Sequence, residues 1–223
     1  MIKEIYLVKG EESETFRNFK KRITDCTQNI IRERQPITLK FTITDRRSPR
    51  FSVIPFRRSK IAAISIVKND EGGINTLLRE TGFYGAYRVT EALPVAYTKT
   101  WADKMPTPGL CLLTLFRRKK GIDHGTFISR WHNSHTPLSL RIHPLWNYVR
   151  NVVDESLTKG SAPFEGIVEE NFKSDADLLN PFRFFGNPLI ILHRMLQVYT
   201  DTKAFIDYPS METYLTTEYH MKS

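Results

Sequence analysis

The sequence predicts an α+β protein in which one β-α-β-β-α-β order runs twice through 223 residues. Three observations predict it: short alternating strands interleave with amphipathic helices, a proline-bearing stretch without periodicity divides the chain near its middle, and short motifs recur across that divide.

In the first half, Ile2, Ile5, Leu7 and Val8 mark a strand, and Phe16, Phe19, Ile23 and Ile30 recur at helical spacing over 13–34. Ser13 suits the helix N-cap and Pro36 ends the helix. Residues 37–44 and 61–67 are rich in β-branched side chains and give two strands. A short helix over 73–80 and a strand over 84–97 close the half. The stretch 98–109 carries Pro106 and Pro108 and is the candidate linker.

The same order then repeats: a strand over 110–118, a helix over 123–134 and strands over 146–153 and 164–172. Helical segments at 176–180 and 189–199, interrupted by Pro181, Gly186 and Pro188, precede a last strand over 213–221. Lys9-Gly10 with Thr15-Phe16 matches Lys120-Gly121 with Thr126-Phe127 at a constant offset of 111 residues. Val67-Lys68-Asn69-Asp70 returns as Phe172-Lys173-Ser174-Asp175, and Tyr87 to Glu91 as Tyr214 to Glu218. The expectation is two tandem ferredoxin-like (βαββαβ) halves, 1–105 and 106–223. Each carries its helices on one sheet face, so the two open faces can close on each other as an intrachain pseudo-dimer resembling a dimeric α+β barrel. Barrel mouths are common small-molecule sites.

Composition excludes several classes. At 40% hydrophobic residues the chain can bury a core. Its apolar runs, such as 110–113 and 189–192, fall far short of the ~20 residues of a membrane span, so no membrane partner is expected. The N-terminus shows no secretory pattern, and Cys26 and Cys111 are too few for a disulfide framework, so a cytoplasmic setting is expected. Both cysteines read as small buried hydrophobes. The net charge of +9 and the window holding Arg46, Arg47, Arg50, Arg57, Arg58 and Lys60 around Phe51 and Phe56 raise a polyanion partner. Such a charge run is usually a solvated loop, and nucleic acid is the lesser expectation. Gly82-Phe83-Tyr84-Gly85-Ala86-Tyr87 imitates an RNA-recognition stripe, but Tyr84 stands where a small residue is needed.

From Leu115 onward the chain carries Phe116 to Ile122, then Phe127, Trp131, His135, Pro137 and Leu138, Tyr148, Val149 and Asn151, Gly166-Ile167-Val168-Glu169, Asp201, Phe205 and Asp207, and the terminal Glu218-Tyr219-His220. In these residues it resembles the EthD family. The chain departs from the family at Arg130 and Val152, where histidines are usual. The resemblance covers about half the chain and implies an α+β barrel enzyme acting on an aromatic, polyketide-like or other apolar substrate by oxidation, dehydration, cyclisation or isomerisation. The first half then stands in for the second subunit of that family's dimer. Whether the pseudo-dimer pairs again into a homodimer is left open.

Read without the family, positions 127, 131 and 135 share one helical arc, which sets the imidazole of His135 among apolar side chains. Such a ring is either a core histidine or a general acid or base. Glu218 and His220 share one strand face and form a proton-transfer pair if that face looks inward. Trp146 and Tyr148 share one strand face and are candidate substrate contacts, to which the resemblance adds Trp131 and Asn151. His132 and His135 lack a third metal ligand. No phosphate loop, dinucleotide fingerprint or nucleophile elbow is present, so no cofactor is implied. The alternative is a non-catalytic carrier for a small apolar ligand.

Overall fold

A computed structural model describes residues 1–70 and 74–223. Eight strands close into one barrel in which every neighbouring pair is antiparallel: β1 (Ile2–Lys9), β2 (Thr38–Ile43), β3 (Ile61–Lys68), β4 (Phe83–Val95), β5 (Leu110–Phe116), β6 (Asn147–Ser156), β7 (Gly166–Phe172) and β8 (Glu212–Lys222). Their order around the barrel is β1-β3-β2-β8-β5-β7-β6-β4, with β4 returning to β1. The helices are α1 (Phe16–Arg34), α2 (Asn75–Leu78), α3 (His124–Ser129), α4 (Thr136–Ile142), α5 (Asp175–Leu179), α6 (Pro181–Phe184) and α7 (Ile191–Thr202). The expected start of α2 at Gly73 lies outside the described residues.

Three local expectations are corrected. The N-cap of α1 is Thr15 rather than Ser13: its backbone is extended and its hydroxyl accepts the amide of Asn18 at 3.1 Å, directly ahead of the apolar stripe. The second-half helix does not end before Pro137. A π-helical turn, Arg130–His135, joins α3 to α4, and the amide of Thr136 reaches back five residues to the carbonyl of Trp131. Pro137 has no amide to donate, so it is accommodated in the first turn of α4 while the π turn absorbs the misfit. Finally, the stretch after β4 is not a free linker. The amides of Lys104 and Thr107 donate to the carbonyls of His220 and Glu218 at 2.6 and 2.8 Å, pinning it along β8.

Strand alternation divides the side chains between two sides of the wall. Outside the first four strands, Phe19, Ile23, Cys26 and Ile30 of α1 pack solidly on Tyr6, Val8, Leu39, Phe41, Ile64 and Ile66. Inside the barrel, Ile5, Leu7, Ile61, Ala63, Tyr87, Leu113, Leu115, Ile167 and Tyr214 fill one end. At that end large apolar side chains occupy the interior, so no open channel runs through the barrel. Both cysteines are buried, as read, and burial pushes the Cys26 thiol up to about 12.

Candidate functional site

The remaining end of the interior is polar. Lys3 lies against Glu91 and donates to Asn151 at 2.8 Å, and the Asn151 amide donates to the Ile167 carbonyl at 3.0 Å. Lys40 sits 3.0 Å from both Glu169 and Glu218. Glu218 is fully buried and also accepts from the hydroxyls of Tyr97 and Thr107. Burial alone would raise its pKa, but Lys40, His220 and Tyr97 outweigh burial and hold it well below the usual carboxylate range. His220 Nε2 lies 2.7 Å from the Tyr97 hydroxyl and 3.3 Å from Glu218. The rings of Tyr97, Trp101 and Trp146 pack at a tilt, 4.9–5.7 Å between centroids, beside this network. A recess of about 360 Å³ opens here, at the barrel mouth.

The larger cavity lies elsewhere, outside the wall. It measures about 970 Å³ and separates the outer face of β5–β8 from the π turn, α4 and α7. It exists because α7 stands off the sheet: Thr202 is its only buried residue. The apolar lining includes Trp131, Tyr148, Phe184, Phe185, Met195, Tyr199 and Ile206, and residues 53–57 from the β2–β3 loop form one rim. Trp131 is fixed from behind by Phe116 and Phe127 at 5.0 and 5.5 Å.

Besides His143, whose Nδ1 is tied to the Phe184 carbonyl at 3.0 Å and whose pKa burial lowers to about 4, two acid–base groups face this apolar space. His135, on the π turn, pairs through Nδ1 with Asp201 at 2.8 Å, and its Nε2 lies 3.1 Å from the Ser139 hydroxyl. Because Asp201 is a carboxylate, Nδ1 carries the proton, so Nε2 offers its lone pair on the side of Ser139. Asp201 is held below its ordinary pKa: burial opposes this, and hydrogen bonds from His135 and from Ser134 at 2.6 Å overcome it. The second group is Glu170 of β7. It has neither a hydrogen bond nor an ion pair among the described residues, and burial pushes its carboxyl up to about 7.

Of the residues read from sequence, His135, Trp131 and Tyr148 come together on the large cavity. Glu218 and His220 come together at the barrel mouth, on the other side of the wall, with Asn151 in the same buried interior. Trp146 precedes β6 and joins Tyr97 instead of sharing the cavity with Tyr148. Glu170 was missed. Its signal was the adjacent pair Glu169-Glu170 in a strand walled on both sides, since alternation must send one carboxylate each way. Among the described residues no group of three His, Cys, Asp or Glu side chains is placed to hold a metal ion. No helix of the described residues is long and apolar enough to cross a membrane.

No family sequence profile matches the chain, and no curated protein matches it. Solved structures do. A protein of Fusobacterium nucleatum assigned as a monooxygenase shares 11% identity, covers 99% of this chain over 92% of its own and superposes with a TM-score of 0.52. An anthrone oxidase-like protein shares 9% identity over 98% of this chain and 90% of its own, with a TM-score of 0.56. At such identities the similarity establishes the α+β barrel fold and no more.

Proposed function

We propose that this protein is a small-molecule enzyme that removes a proton from a carbon of an apolar aromatic or polyketide-like substrate bound between α7 and the outer face of β5–β8. Glu170 carries the reading. A carboxyl aimed into an apolar cavity, without a partner and with a pKa near neutrality, is matched to general-base work at physiological pH. His135, oriented by Asp201, is the second proton carrier, and Trp131 and Tyr148 form aromatic walls for the ring system. Dehydration, cyclisation and isomerisation of a polyketide-like ring, and its oxidation when dioxygen takes up the electrons, can each begin by deprotonating carbon next to a carbonyl or conjugated with one through the ring, so one base serves all four outcomes. The step uses side chains alone. Glu218, His220 and Asn151 belong in this reading to the network that holds the barrel mouth, and Trp146 to its aromatic cap.

The same reading treats the chain as two ferredoxin-like halves, 1–105 and 106–223, the second of EthD type. Each set of four strands lies in the order fourth, first, third, second, which supports this. The solid packing under α1 and the hollow under α7 support a scaffold half and a site half. Two buried free thiols suit a cytoplasmic setting.

The test is deuterium exchange at the acidic methylene carbon of anthrone, a tricyclic ketone suggested by the second structural relative. Catalysed exchange that disappears in Glu170→Gln supports the reading. Tight binding of anthrone with no exchange would turn it into a carrier.

A further inference from the structure

The rim of the large cavity combines two surface features. Residues 45–60 hold six basic side chains against one acid, and Arg46, Arg47, Arg50, Arg57 and Arg58 are all exposed. Within the same loop Phe51 is 94% exposed, and 53–57 line the cavity. On the facing wall, Leu189, Leu192 and Leu196 are 94%, 78% and 60% exposed along and just ahead of α7, and Leu196 also lines the cavity. Isolated exposed leucines are ordinary. Here Leu196 and residues 53–57 line one apolar chamber, and the exposed Leu189, Leu192 and Phe51 lie within a few residues of those two borders in the chain, Phe51 amid a block of arginines.

We propose that this face docks on the surface of an anionic lipid bilayer, with Phe51, Leu189 and Leu192 entering the headgroup boundary and the arginines pairing with lipid phosphates. Aliphatic tips next to arginines match an interface that is apolar just below a layer of negative charge. A nucleic acid would be served by stacking aromatics, and the leucines offer no stacking face. A second copy of the chain would bring one basic rim against another, and like charges oppose such a pairing. The expectation of no membrane partner rested on the lack of a spanning segment, which does not bear on a protein lying on the surface. Docked this way, the cavity opens toward the lipid, where apolar molecules collect. That delivery role rests on the reading of the cavity given above, whereas the docking itself does not.

The experiment is co-sedimentation of the full chain with phosphatidylcholine vesicles, with and without phosphatidylserine. Binding is expected only with phosphatidylserine and is expected to weaken steeply with salt. Phe51→Ser with Leu192→Ser should lower partitioning about tenfold or more, and Arg47→Gln and Arg50→Gln about fivefold each, with circular dichroism unchanged. No partitioning, or partitioning indifferent to Phe51 and Leu192 and matched by RNA, would overturn the proposal. So would a solution dimer that Leu192→Ser dissociates. Because neither Phe51 nor Leu192 lines the cavity, anthrone exchange in lipid-free buffer separates a failure of docking from a failure of the proposed function.

Discussion

Glu169 and Glu170 are neighbours in β7, yet they occupy opposite sides of the barrel wall: Glu169 lies 3.0 Å from Lys40 in the interior, and Glu170 faces the apolar cavity beneath α7. Adjacent carboxylates of identical chemistry thus acquire different work from their surroundings alone. One is neutralised by a cation; the other has only burial to answer to, and burial favours its proton.

Replacing Glu170 with Gln keeps the shape and removes the base. Exchange at the acidic carbon of the tricyclic ketone should fall by roughly 10²–10⁴-fold, with ketone affinity and the circular dichroism spectrum unchanged. Steady-state exchange rates followed by NMR check this.

The same group makes stability depend on pH with a definite sign. Its carboxyl titrates at about 7 in the folded chain against 4.5 in the ordinary state, so between those values the folded form keeps a proton that the unfolded chain has lost. Stability therefore falls as pH rises from about 4.5 to about 7, by at most about 3–4 kcal/mol. Glu170→Gln lacks this loss. Its melting temperature should match wild type below pH 4.5 and exceed it above pH 7, which differential scanning calorimetry reads directly.

His135 tests the second proton carrier. His135→Gln should reduce exchange about a hundredfold while the protein stays folded, and Asp201→Asn should cost less, since it disturbs the tautomer and leaves the ring in place. Unfolding of His135→Gln with unchanged exchange per folded molecule would identify a structural histidine.

Lys40 is the cation between two buried carboxylates. Lys40→Met removes the ammonium that Glu169 and Glu218 share, leaving Glu218 to His220 and the Tyr97 and Thr107 hydroxyls, and should cost about 3–5 kcal/mol in urea unfolding. Adding Glu218→Gln to that variant should recover part of the loss. Exchange at the cavity, on the far side of the wall, should persist in the folded fraction.

Much of this was legible in the sequence, because strand and helix periodicities are properties of adjacent residues. All eight strands fall within a few residues of their expected places, and His135 does share the space of Trp131. What the sequence withheld depends on distance in space. The hollow beneath α7 arises from how far a helix stands from a sheet, which no spacing within 191–202 encodes. The continuation of the helix through Pro137 depends on a π turn that relieves the missing amide, whereas local rules end the helix there. His220 and Glu218 face inward as one strand face, yet the partner that defines them, Lys40, is contributed by β2, far away in the chain.

The most direct measurement is a crystal structure of the chain soaked with the tricyclic ketone. Density for the rings between Trp131 and Tyr148, with the acidic carbon within hydrogen-bonding reach of Glu170, is the expected result. Rings lodged at the barrel mouth beside His220 and Tyr97, with the chamber beneath α7 unchanged, would contradict the assignment of the site.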